Sequence, residues 1–447
     1  MGPVVRRAPS LVGLALTLAL GAGLAWPSPT GAFTGFGAMT GDATYGEQMR
    51  FTVKLPGGPP ESLDLLLRFT GSDATVVAPV QPGASSAEYV WDAAARPLTP
   101  NTGVTYRWRA TNGGAVTLSP ENNLLYDDDR PGLSWHSARI GDATVHWYGG
   151  AEAQARHFGQ ISADAASAAE TLLGHNLAGP LDIFVYDSRA EFFGALGPGA
   201  REWTGAATYP NLRTVFMWLG GGSQNYLETT VTHEVTHVVF HDATTNPFHD
   251  PATWFNEGFA VWSEERSARS QAGTVRDAAD GGGLLAFDGI RESFPIGSQA
   301  AGLAYSEGAT MVQMIIDTYG RDAIAAIAAA WRKGDGDAEA LKAGTGVSAD
   351  QLYADYFASF GVAQPTAVEP APILPSNVDK PPQPAVSSQQ PAASGAEQPS
   401  PSGRPVDQPA GGAASSIWLL IVGAAVVGIT VGATVAVRRR RPPGASA

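Results

Sequence analysis

"HEVTH", residues 233–237, sets two histidines four positions apart with a glutamate directly after the first. On a helix, residues four apart share a face, so His233 and His237 can offer both imidazoles to one tetrahedral metal ion. Glu234 leans beside that face, where it can take a proton from a water that the metal has made acidic. The chain has only eight histidines in 447 residues. A five-residue match of this kind arises by chance ~0.01 times in such a chain, so the spacing calls for a chemical explanation.

Two histidines leave a catalytic zinc site one protein ligand short. His241 continues the stripe, but eight positions beyond His233 it lies ~12 Å along the helix axis, too far to share the ion. A glycine three places after the second histidine and a histidine three places further on would make a different zinc-peptidase pattern; Phe240 and Ala243 stand there instead. Glu257 remains, in "WFNEGFAVWSEE" (254–265). A carboxylate in so apolar a stretch is costly without a partner, and a metal would satisfy it.

These residues resemble the gluzincins, the zinc peptidases that include thermolysin and the alanyl aminopeptidase and leukotriene hydrolase group. Their pattern is HExxH followed about twenty positions on by a glutamate in an N-E-G-type helix; here Asn256, Glu257 and Gly258 follow His237 at that distance. The resemblance implies Zn²⁺ held by His233, His237 and Glu257, with Glu234 as general base. Glu264, seven residues after Glu257, returns to the same helix face and can accept the second N–H of a metal-binding imidazole, the alternative being a solvent-facing charge. A glutamate recurs there in the aminopeptidase-like pattern. "AYSEGATMVQMI" (304–315) is similar to the family's Tyr-x-Lys-Gly segment. Tyr305 matches the tyrosine that steadies the oxyanion, while Glu307 replaces the lysine. No Gly-x-Met-Glu-Asn stretch precedes the zinc helix: Gly37, Ala38 and Met39 lie near the N-terminus and are followed by Thr40. In the aminopeptidases that glutamate grips the substrate's amino terminus, so an endopeptidase or another specificity is expected here over an obligate aminopeptidase. "RTVFMWL" (213–219) reads either as the edge strand on which an extended substrate pairs or as an interior strand.

Around this centre the chain divides by composition. Residues 1–32 carry Arg6 and Arg7, then an apolar run from Leu11 to Ala25 and small residues, which predicts an export signal. Residues 33–132 alternate with period two: Met49, Phe51, Val53 and Leu55, then Leu63, Leu65, Leu67 and Phe69, then Val104, Tyr106 and Trp108. Half-buried strands separated by Gly, Pro and Asn turns suggest an all-β, immunoglobulin-like sandwich. Asp127, Asp128 and Asp129 read as an interdomain turn rather than a calcium site.

Residues 133–360 change to an α+β rhythm. Strands are expected at 144–148, 181–186 and 213–219, with an Ala-rich helix at 151–175. Helices follow at about 228–241, 254–268, 305–319 and 321–332, with two shorter ones up to Phe360. The resemblance extends over this domain in layout and is specific only at 233–264 and near 305.

Residues 361–415 are rich in Pro, Ala, Ser, Gln and Gly and cannot bury enough surface to offset their ordering entropy, which predicts a disordered stalk. Within residues 416–437, Ile417 to Val437 run without a charge, enough to span a bilayer of ~30 Å. Arg438 to Arg441 open a basic tail (438–447), so the positive-inside rule leaves everything before the span outside the cell. No Leu-Pro-x-Thr-Gly sorting signal precedes it; Leu374, Pro375, Ser376 and Asn377 depart from that pattern.

A net charge of −14 argues against nucleic-acid binding. With no cysteine, the exported protein has no disulfides and must be held together by its core or a bound metal. The expectation is therefore a single-pass cell-membrane protein with an extracellular zinc metallopeptidase domain acting on a peptide or protein substrate. The sandwich is free to meet a protein or envelope partner. A non-enzymatic cell-surface binding protein with a structural zinc site is the rival from another class; a base beside the metal speaks against it, since a structural site gains nothing from one. Hydrolysis of a non-peptide bond stays open.

Overall fold

The computed structural model describes residues 33–197, 205–264, 268–295 and 298–366. Its first part is all β, in eight strands: β1 (Met39–Thr44), β2 (Gln48–Lys54), β3 (Ser62–Phe69), β4 (Thr75–Val80), β5 (Ser86–Asp92), β6 (Thr102–Asn112), β7 (Ala115–Leu118) and β8 (Asn122–Tyr126). They form two antiparallel sheets, β1-β2-β5 and β4-β3-β6, with β7 and β8 both pairing along the far side of β6. Alternation in sequence becomes alternation in burial. On β6, Thr102, Val104, Tyr106, Trp108 and Ala110 are buried while their neighbours face outward. The inner faces of the two sheets share one core, and Phe51 of the first meets Tyr106 of the second with ring centroids 4.9 Å apart.

A five-stranded mixed sheet opens the second part: β9 (His136–Ile140), β10 (Ala143–Trp147), helix α1 (Glu152–Leu173), β11 (Leu181–Tyr186), α2 (Arg189–Leu196), β12 (Ala206–Tyr209) and β13 (Thr214–Trp218). The order is β12-β13-β11-β10-β9, with the three central strands parallel and both edge strands antiparallel. Central parallel strands are covered on both faces, so β11 is buried at successive positions. Ile183 and Val185 point to the helices, Phe184 and Tyr186 to a second cluster with Phe192, Tyr209 and Phe216.

The edge-strand reading of residues 213–219 is corrected here. β13 lies between β11 and β12, and the edge is the four-residue β12. Strand β9 and helix α2, like β12, were not anticipated from the sequence.

Seven helices follow: α3 (Gln224–Thr244), α4 (Thr253–Ser263), α5 (Ala268–Asp280), α6 (Ser298–Tyr319), α7 (Asp322–Arg332), α8 (Asp337–Thr345) and α9 (Ala349–Ser359). Of these α5 was also unanticipated. Where α4 crosses α6, Gly258 and Gly308 face each other. A Cβ on Gly258 would sit 2.3 Å from the carbonyl carbon of Gly308, so only glycine allows so close a backbone approach.

The acidic turn between the two parts is a structural tie. Asp128 is fully buried; it accepts from Arg130 Nε at 2.6 Å and from the Tyr186 hydroxyl at 2.9 Å. Arg130 also donates to the carbonyl of Glu191 on α2 at 2.7 Å, and Tyr45 from the first part donates to Ala195 at 3.0 Å.

No described helix is long and apolar enough to cross a membrane. The expected signal (1–32), most of the stalk, the expected span (416–437) and the tail lie outside the described residues.

Candidate metal centre

The middle of helix α3 is enclosed by the sheet, α1, α4 and α7, with Val231, Val235, Val238, Val239, Phe240 and Ala243 all buried. Its ligating face is therefore out of water: His233, Glu234 and His237 are at most 3% exposed. Ser223 caps the start of the helix by accepting from the Tyr226 N–H at 3.3 Å. Antiparallel helix α4 brings Glu257, equally buried, across from the two histidines.

The distances close on one point. Nε2 of His233 and Nε2 of His237 are 3.0 Å apart, and Oε2 of Glu257 lies 3.4 Å from each. Both Nδ1 atoms are engaged on the far side. Nδ1–H of His233 donates to Oε1 of Glu264 at 2.8 Å, and Nδ1–H of His237 donates to Oδ1 of Asn256 at 2.9 Å. A carboxylate can only accept, so Nδ1 of His233 carries the hydrogen and its Nε2 presents a lone pair inward. Oε2 of Glu257 is buried with no hydrogen-bond partner.

Such a set fits zinc. Donors at ~2.0–2.1 Å from a tetrahedral zinc stand about 3.3 Å from one another, close to the spacing found. Inward lone pairs beside an unpartnered carboxylate oxygen repel unless positive charge sits among them. Without an ion, a proton on an imidazole can supply that charge. Burial alone would lower His233, but hydrogen bonds and charge from Glu257 and Glu264 push it up to about 10. Burial alone would raise Glu257, but the two imidazoles hold it down at about 2. Among the described residues this is the one group of three ligating side chains close enough to hold an ion; Asp127, Asp128 and Asp129 do not form another.

Glu234 points from the same helix toward the sheet. Burial raises its carboxyl above the ordinary range, against the lowering effect of the two imidazoles. Its Oε2 accepts a hydrogen bond from the Thr208 hydroxyl, while its Oε1 is buried without a partner. Tyr305, half-buried on α6, reaches the same region, with its ring centroid 6.4 Å from that of His233 and an edge-on contact with Phe294 at 4.8 Å. His241 is outside the ligand group, and the other histidines have separate partners, such as Asp182 for His146 and Glu228 for His157.

The structure thus brings His233, His237, Glu257, Glu264, Glu234 and Tyr305 into one region. Sequence reasoning missed two contributors. Asn256 was visible only as part of the N-E-G pattern, and Thr208 carried no signal at all, because its partner lies 26 positions away.

Residues 162–360 match the family model described as the Peptidase MA superfamily. Among solved structures, an M1 zinc metallopeptidase from Deinococcus radiodurans aligns at 16% identity over 73% of this chain and 93% of its own, with a TM-score of 0.33. A mutant M1 zinc metallopeptidase from the same organism, bound to a Tyr-Ser-Ala substrate, aligns at 15% identity over 74% and 93%, with a TM-score of 0.34. BhCBM56 aligns at 10% identity over 20% of this chain and 88% of its own, with a TM-score of 0.17. No curated protein matches the chain. At TM-scores this low, the solved structures add nothing to what the family match and the three converging donors establish. Residues 162–360 are thus similar to the peptidase MA superfamily, and the three converging donors within them fit the zinc of a metallopeptidase.

Proposed function

We propose that this chain is a membrane-anchored, extracellular metallopeptidase that hydrolyses peptide bonds with His233, His237 and Glu257 as zinc ligands and Glu234 as general base. The carrying observation is the free oxygen of that base: Oε1 of Glu234 is buried, unpartnered and one residue from a ligand. Zinc, when bound, supplies Lewis acidity to the scissile carbonyl and to the attacking water. Glu234 takes one proton from that water as its oxygen adds to the carbonyl carbon, then delivers the proton to the amide nitrogen as the C–N bond breaks. Tyr305 donates its phenolic hydrogen to the carbonyl oxygen while negative charge develops there. Asn256 and Glu264 hold the two imidazoles in the tautomer that leaves Nε2 free.

An extended substrate pairs most naturally at the outer edge of the mixed sheet, which is β12. Thr208 places β12 directly against Glu234, so a peptide added there runs past the base. The segment Gly205 to Tyr209 carries no carboxylate to grip an amino terminus. That supports internal cleavage over obligate removal of the first residue.

Residues 33–132 we read as a sandwich of immunoglobulin-like outline with a protein or envelope partner; the strand order β1-β2-β5 against β4-β3-β6 supports the outline. The export signal, stalk and anchor rest on sequence, through the uncharged run from Ile417 to Val437 and the four arginines after it. Glu234→Gln tests the chemical part: zinc content is expected to stay at one ion per chain while hydrolysis of a mixed peptide library disappears. A Glu234→Gln enzyme of full activity would remove Glu234 from the role of base.

A further inference from the structure

We propose that Thr208 is the positioning residue of the general base, an inference that rests on the assignment of Glu234 to that role. Strand β12 alternates between two environments. Ala206 packs in the core shared with α3, whereas Ala207 and Tyr209 pack in the cluster on the opposite face. Period two therefore turns Thr208 toward α3, where it is 1% exposed.

Its hydroxyl has one hydrogen and two acceptors, both on the same residue: Oε2 of Glu234 and, at 3.2 Å, the Glu234 carbonyl. A buried threonine hydroxyl is costly without a partner, and valine fills nearly the same space without that cost. Packing alone therefore favours valine or alanine at position 208, and the base is what the hydroxyl serves.

The consequence is geometric. The terminal torsion of a glutamate is broad, so a carboxylate held only at its stem can rotate and exchange its two oxygens. β-Branching restricts the threonine side chain to few rotamers, so its hydroxyl pins Oε2 in one place. Oε1 is then the oxygen that faces the reacting water. Thr208 acts through Glu234, the residue to which both hydrogen bonds of its hydroxyl run.

The test uses the full chain loaded with zinc, a quenched-fluorescent mixed peptide library as probe, and Glu234→Gln measured alongside. Thr208→Val is expected to lower kcat about 10- to 100-fold with KM within twofold and zinc stoichiometry unchanged. Thr208→Ser, which restores the hydroxyl, is expected to recover most of that kcat, and Thr208→Ala is not. The second readout needs no activity. In chelator-treated protein, Thr208→Val is expected to lower the melting temperature when Glu234 is present and to have a much smaller effect in a Glu234→Ala background. Wild-type kcat in Thr208→Val, equal kcat in the Ser and Ala variants, or an unchanged melting-temperature effect without Glu234 would each overturn the inference. If Glu234→Gln is inactive while Thr208→Val works normally, Thr208 fails alone; if Glu234→Gln is fully active, the base assignment itself fails.

Discussion

Glu264 accepts the Nδ1–H of His233 at 2.8 Å, on the side of the ring opposite the metal position. A carboxylate in that place fixes the tautomer, orients the ring and makes Nε2 a better donor. Glu264→Ala is expected to weaken zinc binding about 10- to 100-fold. Competition with a chelator of known affinity measures it, and unchanged affinity would show that this contact does nothing for the metal.

The crossing of α4 and α6 makes a second expectation. Gly258→Ala puts a Cβ 2.3 Å from the backbone of Gly308, and backbone cannot swing aside as a side chain can. The helices must separate, at a cost of about 2–3 kcal/mol. Urea denaturation of the metal-free protein reads that cost. Separation also moves Tyr305 away from the ligands, so kcat is expected to fall with it.

Glu307 sets a pH dependence that is independent of zinc. Burial pushes its carboxyl up to about 8, an effect only partly offset by the Leu285 N–H, which donates to Oε1 at 2.9 Å. Oε2 is buried without a partner, so an ionised carboxylate there would keep an uncompensated oxygen away from water. The folded pKa lies above the unfolded value near 4.5, so the folded protein keeps a proton that the unfolded chain has released. Stability is unaffected by this group below about pH 4.5, declines as pH rises toward about 8, and levels off beyond it. Glu307→Gln is expected to remove the decline, gaining on the order of 4 kcal/mol over the parent at pH 8 and nothing at pH 4.5. Denaturation curves across that range check it; parallel stability profiles for parent and variant would contradict it.

What could be read from sequence was what is local. The two histidines and Glu234 share one turn of helix, and Glu257 sits in a short apolar stretch, so spacing and burial cost were both visible in the letters. The alternating strands of residues 33–126 were legible for the same reason, since each inner face repeats every second residue. Edge or interior status is not local. β13 has the composition of either, and what makes it interior is β12, whose four residues "AATY" have no apolar run to announce them. The roles of Thr208 and Asn256 escaped notice because they exist only through partners 26 and 19 positions away. The burial of Glu307 depends on the approach of Leu285 from a separate loop, which no helical pattern in 304–315 encodes.

The most direct measurement is anomalous diffraction at the zinc edge from crystals of the zinc-loaded protein. The expected result is one peak per chain at bonding distance from Nε2 of His233, Nε2 of His237 and Oε2 of Glu257, lost in the Glu257→Ala variant. A map with no peak among those three atoms, or with Glu257 turned away from an ion held elsewhere, would contradict the metal centre and the peptidase chemistry built on it.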